Sequence, residues 1–222
     1  MALITISRMY GSGGSEVAER VARALGWQLL DNAFVDAVAA RLGVSPAEVQ
    51  AREERVPTLV QRLADTLALA SPEMLAPATE APLPPSEERM IEVTTRIINE
   101  AVMSGHAVLV GRGAQSVLAT RSDVLHVFCY APRSALVARA ARRLGVPMKE
   151  AERVVDDTNR QRDQYVRKYW KRSWLAHENY HLCLNTEWFG VDGTSELVAQ
   201  VARERFSESL KLGIPRVGPD GE

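Results

Sequence analysis

The chain predicts an α/β fold, a three-layer, doubly wound sheet of five parallel strands, and three observations carry that expectation. Five short apolar runs (residues 3–6, 27–31, 107–110, 124–130 and 181–184) are separated by stretches with helical periodicity. The first run, Leu3-Ile4-Thr5-Ile6, enters a glycine-rich turn, Gly11-Ser12-Gly13-Gly14-Ser15, that opens directly into a helix. The run Ala107-Val108-Leu109-Val110 is apolar without interruption, as a parallel strand covered on both faces requires. Ligands are then expected outside the carboxyl ends of the strands.

In the first helix Val17, Val21, Ala24 and Leu25 recur at i, i+4, i+7 and i+8 and form one buried stripe, and Gly26 ends it. Trp27-Gln28-Leu29-Leu30-Asp31 reads as a second strand closing on a carboxylate, completing a βαβ unit. Phe34, Val35, Val38, Ala39 and Leu42 make the apolar face of another helix, stopped by Gly43. Ser45-Pro46 starts the next with a serine cap and a proline in the first turn, and Pro57 restarts the chain once more. Residues 71–86 hold five prolines and read as a loop. Ser86 caps a long helix ending near Gly105. Gly111-Arg112-Gly113 follows the third strand at once. A helix after Pro132 runs through Leu136, Val137, Ala140 and Leu144, and Pro147 starts a long polar helix reaching about Lys171. Residues 194–210 read as a closing amphipathic helix and 213–222 as a frayed tail. One domain over residues 1–212 is expected, since 222 residues at 46% hydrophobic content bury a single sizeable core.

The charge balance excludes a global field. With 27 basic and 28 acidic side chains the formal charge is −1, so neither nucleic acid nor an anionic membrane is an expected partner, and any phosphate recognition has to be local. No apolar stretch approaches about 18 residues and the amino terminus lacks a signal-peptide layout, so a cytoplasmic protein is expected. Cys129 and Cys183 both sit in apolar runs and read as small buried hydrophobes, and no zinc pattern is present. A second copy of the chain, as a homodimer, is the protein partner kept open.

The glycine turn offers backbone N–H groups, free of Cβ obstruction, and the positive end of a helix to an anion. It departs from the pattern Gly-x-x-x-x-Gly-Lys-Ser/Thr, because Arg8 stands at the first glycine, Gly14 at the lysine and Glu16 near the hydroxyl that would hold magnesium. Residues 3–31 nevertheless resemble the start of the cytidylate kinases without a gap. Ile6-Ser7-Arg8-Met9-Tyr10-Gly11-Ser12-Gly13-Gly14 is similar to the Ile-Ser-Arg-x-Tyr-Gly-Ser-Gly-Gly of that family's divergent branch, in which the missing lysine is a shared trait. Gly111-Arg112 resembles the family's Gly-Arg-Asp, whose arginine grips the acceptor's phosphate, although Gly113 stands at the aspartate. Residues 156–172 resemble its Asp-x-x-Arg-x-Arg lid, and Tyr165, Tyr169, Trp174 and residues 178–186 resemble the divergent branch.

The resemblance implies a P-loop kinase fold with residues 32–104 as a helical acceptor-binding insertion and 147–175 as a lid-like segment. It implies ATP as phosphoryl donor, Mg²⁺ as cofactor and a nucleoside monophosphate such as CMP or dCMP as acceptor. Gly11, Ser12, Gly13, Gly14, Ser15 and Glu16 would then bind the nucleotide, Arg8, Asp31, Arg160 and Arg162 would act on the transferring group, and Asp31, Arg112 and Arg167 would bind the acceptor. The candidates for the metal are Ser15 and Asp31, with Asp31 equally able to cap the next helix. Six arginines and lysines crowd residues 160–172 against a single carboxylate, Asp163, which favours anion binding over an ordinary solvated face. Two other readings stay open: a kinase of a non-nucleotide small molecule, and a nucleotide-binding regulatory protein whose catalysis was lost with the lysine.

Overall fold

The computed structural model describes residues 2–31, 43, 87–103 and 105–207. Five strands, β1 (Leu3–Arg8), β2 (Gln28–Leu30), β3 (Ala107–Val110), β4 (Val124–Tyr130) and β5 (Leu182–Asn185), form one parallel sheet in the order β2-β3-β1-β4-β5. Ile4 pairs in register with Val108 on one side and Leu125 on the other, which makes β1 the sheet's central strand. The expected helices and loop within residues 32–86, and the tail 213–222, lie outside the described residues.

Side chains alternate across the sheet, as a pleated strand demands. Ile4, Ile6, Val108, Val110, Leu125 and Val127 point to the face covered by α1 (Gly14–Leu25) through Val17 and Val21, and by the last helix, α6 (Gly190–Arg205), through Val198 and Ala202. Leu3, Leu109 and Val124 point to the other face, under Val93, Ile97, Ile98 and Val102 of α2 (Glu87–Met103) and the single turn α3 (Ala114–Val117). The antiparallel-looking pair that the two proline starts produce, α4 (Arg133–Leu144) and α5 (Met148–Trp170), packs through Leu136, Val137 and Ala140 against Ala151 and Val155. Near its carboxyl end α5 lays Tyr165 and Val166 over Phe128 and Trp174. Gly26 and Gly145, both left-handed, stop α1 and α4 by returning their amides to carbonyls of the preceding turn.

Three details differ from the sequence-based expectation. The closing helix begins at Gly190 instead of residue 194 and runs to Arg205, and residues 208–210 of the expected span lie outside the described residues. The turn α3 is too short to leave a periodic signal. Cys129 is buried as expected, but Cys183 is exposed, because β5 is an edge strand and one of its faces is left uncovered. Among the described residues no helix is long and apolar enough to cross a membrane.

A polar pair sits inside this sheet. His126 is 3% exposed; its Nδ1 lies 2.7 Å from Thr5 Oγ1, its ring stacks on His181, and its backbone N–H donates to His181 Nδ1. Burial, with the neighbouring His181 acting in the same sense, pushes the imidazole down to about 4 from 6.5. A base whose folded pKa is depressed keeps its full contribution to stability above the unfolded value and loses it as pH falls toward the folded one. Stability is expected to drop by about 3 kcal/mol between pH 6.5 and 4 from this group alone. Urea midpoints across that window check it: His126→Asn should flatten the decline, and an undiminished slope assigns it to other groups.

Candidate functional site

The chain leaves β1 through α1 toward β2 on one side of it, whereas the connection from β3 passes β1 to reach β4 on the other. A crevice at the carboxyl ends is the consequence. It is a cleft of about 800 Å³. Its floor is the glycine turn, where Gly11 and Gly13 hold φ of +80° and +77°. Both need glycine for room as well as for conformation: a Cβ on Gly11 would overlap the Leu136 carbonyl oxygen of α4, and one on Gly13 would meet Val191 Cγ2 of α6 at 3.0 Å. Gly11 and Gly13 turn their amides into the cleft floor just before α1, and the first turn of a helix has no intrahelical partners for its amides, so the start of α1 offers its donors to an anion.

The turn is held from below. Ser12 is fully buried; its carbonyl accepts from Thr186 Oγ1 at 2.6 Å and from Arg139 Nη1 at 3.1 Å, and its Oγ accepts from the Gly14 amide at 3.3 Å. Ser12 therefore supports the cradle from beneath and is absent from the cleft wall. Arg139 also donates to the Thr186 carbonyl and pairs with Glu187, which ties α4 and the β5–α6 turn to the loop.

Six arginines line the cleft, Arg8, Arg112, Arg139, Arg142, Arg143 and Arg162, against two carboxylates, Glu16 and Asp31. In a chain of formal charge −1 this is a concentrated local field, and it suits a polyanion. Arg112 sits in a turn where three successive residues, Gly111, Arg112 and Gly113, are left-handed at φ of +68°, +59° and +70°. For a side chain with a Cβ that conformation costs roughly 1–2 kcal/mol, and such strain persists where the surroundings hold the residue in place. Burial, and then the positive charge of Arg8, push the Arg112 guanidinium down to about 10, with Asp31 acting in the opposite sense. Two guanidiniums so placed gain from an anion between them.

Helix α5 closes one side. Arg162 Nη1 donates to the Arg8 carbonyl at 2.8 Å, and Asn159 Oδ1 accepts from the Tyr10 amide at 2.8 Å, so the helix is bonded to the cradle itself. Tyr10 stacks between guanidiniums of α4 and α5, with Arg143 at 4.6 Å and Arg162 at 5.9 Å from the ring centre. At the far end, the Trp170 ring occupies the space that any side chain on Gly113 would fill, which explains glycine where an aspartate was expected.

The structure thus brings Arg8, Gly11, Gly13, Gly14, Ser15, Glu16, Asp31, Arg112 and Arg162 to one cleft. It does not bring Arg160 or Arg167 there: they face away on α5, paired with Asp157 and Asp163. Sequence reasoning missed Arg139, Arg142 and Arg143, and also Gln115, Tyr180 and Val191. Ser15 falls at the hydroxyl position of the phosphate-loop pattern, one residue before Glu16. Among the described residues no group of three or more His, Cys, Asp or Glu is arranged to hold a metal ion by itself.

Among solved structures the chain is similar to an uncharacterized protein from Eubacterium ventriosum, with a TM-score of 0.63 and 18% identity over 91% of this chain and 98% of that one. It is similar also to shikimate kinase from Bacteroides thetaiotaomicron, with a TM-score of 0.52 and 11% identity over 90% of this chain and 97% of that one. At these identities the likeness concerns the fold. No curated protein sequence matches the chain. The model of the cytidylate kinase-like family matches residues 3–188, which include the glycine turn, the Gly111-Arg112-Gly113 turn and α5; the chain belongs to the cytidylate kinase-like family.

Proposed function

We propose that the protein transfers the γ-phosphoryl group of ATP to a small anionic acceptor, a nucleoside monophosphate such as CMP or dCMP. The observation that carries this reading is the convergence of the glycine cradle and six arginines on one cleft of about 800 Å³ in a chain with almost no net charge. Phosphoryl transfer asks little covalent chemistry of a protein; it asks for positioning and for cations around the transferring group. The amides of Gly11, Gly13 and Ser15 hold the donor's phosphates, and Arg112 holds the acceptor with a fork that matches two oxygens at once. The acceptor oxygen attacks the γ-phosphorus, the bond to the β,γ-bridging oxygen breaks, and that oxygen leaves with the electron pair as part of ADP. A phosphate acceptor is already ionised and needs no base. With a hydroxyl acceptor the proton passes to Asp31, which stands in the same cleft at the end of β2.

Mg²⁺ draws most of its ligands from water and substrate phosphates, so a hydroxyl and one or two carboxylates suffice on the protein side. Ser15, Asp31 and Glu16 all line the cleft and fit that donor set. The ion, when bound, supplies charge neutralisation between the phosphates.

The test is ATP-dependent phosphorylation of a panel of nucleoside monophosphates and small anionic metabolites with Mg²⁺ varied. Magnesium-dependent turnover confined to the nucleoside monophosphates is expected. Turnover only with another class reassigns the acceptor, and ATP binding without turnover across the panel contradicts the kinase reading.

A further inference from the structure

We propose that Arg8 and Gly14 form one exchanged unit, in which the cation that the phosphate-loop pattern carries on its lysine is supplied instead by Arg8, through the space that Gly14 leaves. The inference rests on the phosphoryl-transfer reading above and names the residue that follows the transferring group.

Gly14 is the first residue of α1, and unlike Gly11 and Gly13 it does not have a positive φ. Its backbone therefore does not require glycine, and glycine in a helix is less stable than alanine. Space is what requires it. A Cβ on Gly14 would overlap Arg8 Cβ, with Arg8 Cγ at 3.0 Å and Cys129 Cβ at 3.1 Å. The first carbons of the Arg8 side chain thus lie where a residue-14 side chain would begin. Its far end is fixed by a second glycine: a Cβ on Gly111 would overlap Arg8 Nη1, with Cζ at 3.4 Å. Between these points Arg8 Nε lies 3.4 Å from Ser15 Oγ, a loose approach to the hydroxyl at the next position of the pattern.

The course of Arg8 is then defined by four residues. It leaves the end of β1, passes the start of α1 where the lysine would emerge, and sets its guanidinium on the backbone of Gly111, next to Arg112. Its main chain is held as well, since the Arg8 carbonyl accepts from Arg162 and the following amide donates to the Cys129 carbonyl. A phosphoryl group passing from the cradle to an acceptor on Arg112 has this guanidinium beside it throughout. A fork placed there spans an oxygen of each phosphate, which a single ammonium does less well. Because the stem is packed at both ends, little rotamer freedom remains to be lost on binding.

Reciprocal substitution tests the exchange. Arg8→Met keeps most of the stem and removes the charge; it should weaken ATP about tenfold and lower turnover about a hundredfold, with the thermal midpoint close to wild type. Gly14→Lys alone should fail, its side chain colliding with Arg8. The double variant Arg8→Gly/Gly14→Lys should recover about tenfold or more over either Arg8→Gly or Gly14→Lys in ATP affinity by titration calorimetry, because the new stem takes the channel the arginine vacates. A folded double variant no better than the worse single one overturns the proposal, as does an Arg8→Met protein that binds ATP and turns over like wild type. The affinity readout separates the two claims. A wild type that phosphorylates nothing, yet loses ATP affinity in Arg8→Met and regains it in the double variant, leaves the exchange standing and removes the kinase reading.

Discussion

Replacing Gly13 by valine is expected to abolish nucleotide binding while leaving the sheet folded. Gly13 holds φ at +77°, a region β-branched side chains avoid, and any Cβ there meets Val191 Cγ2 at 3.0 Å. The loop has to shift away from α6, and the amides of Gly11, Gly13 and Ser15 then no longer converge. Losing a set of oriented donors costs more than losing one, so ATP affinity should fall by more than about a hundredfold. The core does not depend on the turn, because β1 and α1 are held by Ile4, Ile6, Val17 and Val21 on the buried face of the sheet. Calorimetric titration with ATP, beside a far-ultraviolet melt, checks both halves of the expectation. An affinity within about threefold of wild type in a folded variant counts against a phosphate cradle at this turn.

Arg112→Lys should give the second large effect, on the acceptor proposed for this residue. Lysine at residue 112 carries the same left-handed backbone cost as arginine, so the change isolates the head group. Two losses combine. The planar fork is gone, and the environment that pushes Arg112 down to about 10 acts also on an ammonium whose ordinary value is about 10.4. Burial and the Arg8 charge act in the same downward direction on an ammonium, so lysine holds its charge less firmly there than in water. The acceptor KM should rise about tenfold or more at neutral pH and climb further as pH rises, with ATP affinity little changed. An equal loss of ATP affinity would move Arg112 to the donor side of the cleft.

What was legible in the sequence is what backbone chemistry dictates. Strands read from apolar runs because both faces of a parallel sheet are covered, and the cradle read from Gly11, Gly13 and the helix behind them because left-handed residues and helix amino termini have a compositional signature. Side-chain convergence was less legible. Arg142 and Arg143 look like ordinary last-turn arginines satisfying the dipole of α4, and nothing local says that this helix end faces the cradle. Arg139 is tied to Ser12 and Thr186, partners 127 and 47 residues away. The basic run 160–172 looks uniform in the sequence, whereas the helix divides it by face. Asn159, Arg162, Tyr165 and Val166 recur at helical spacing on the side turned to the cradle and core, and Arg160 and Arg167 fall on the opposite side. That signal was available in the sequence, since Tyr165 and Val166 already mark the inner face. The glycine at 113 had no sequence-level reason, because its partner, the Trp170 ring, arrives from another element.

On the proposed function, one cleft holds two anions and moves a phosphoryl group between them. Phosphorus NMR of the wild type with ATP, CMP and Mg²⁺ tests it most directly, because each phosphorus reports its own bonding. The ATP γ-signal should decline as the signals of ADP and of a second nucleoside diphosphate grow together, with no inorganic phosphate ahead of them. ATP that stays intact with CMP and every other acceptor offered, or that yields only ADP and inorganic phosphate, would contradict it.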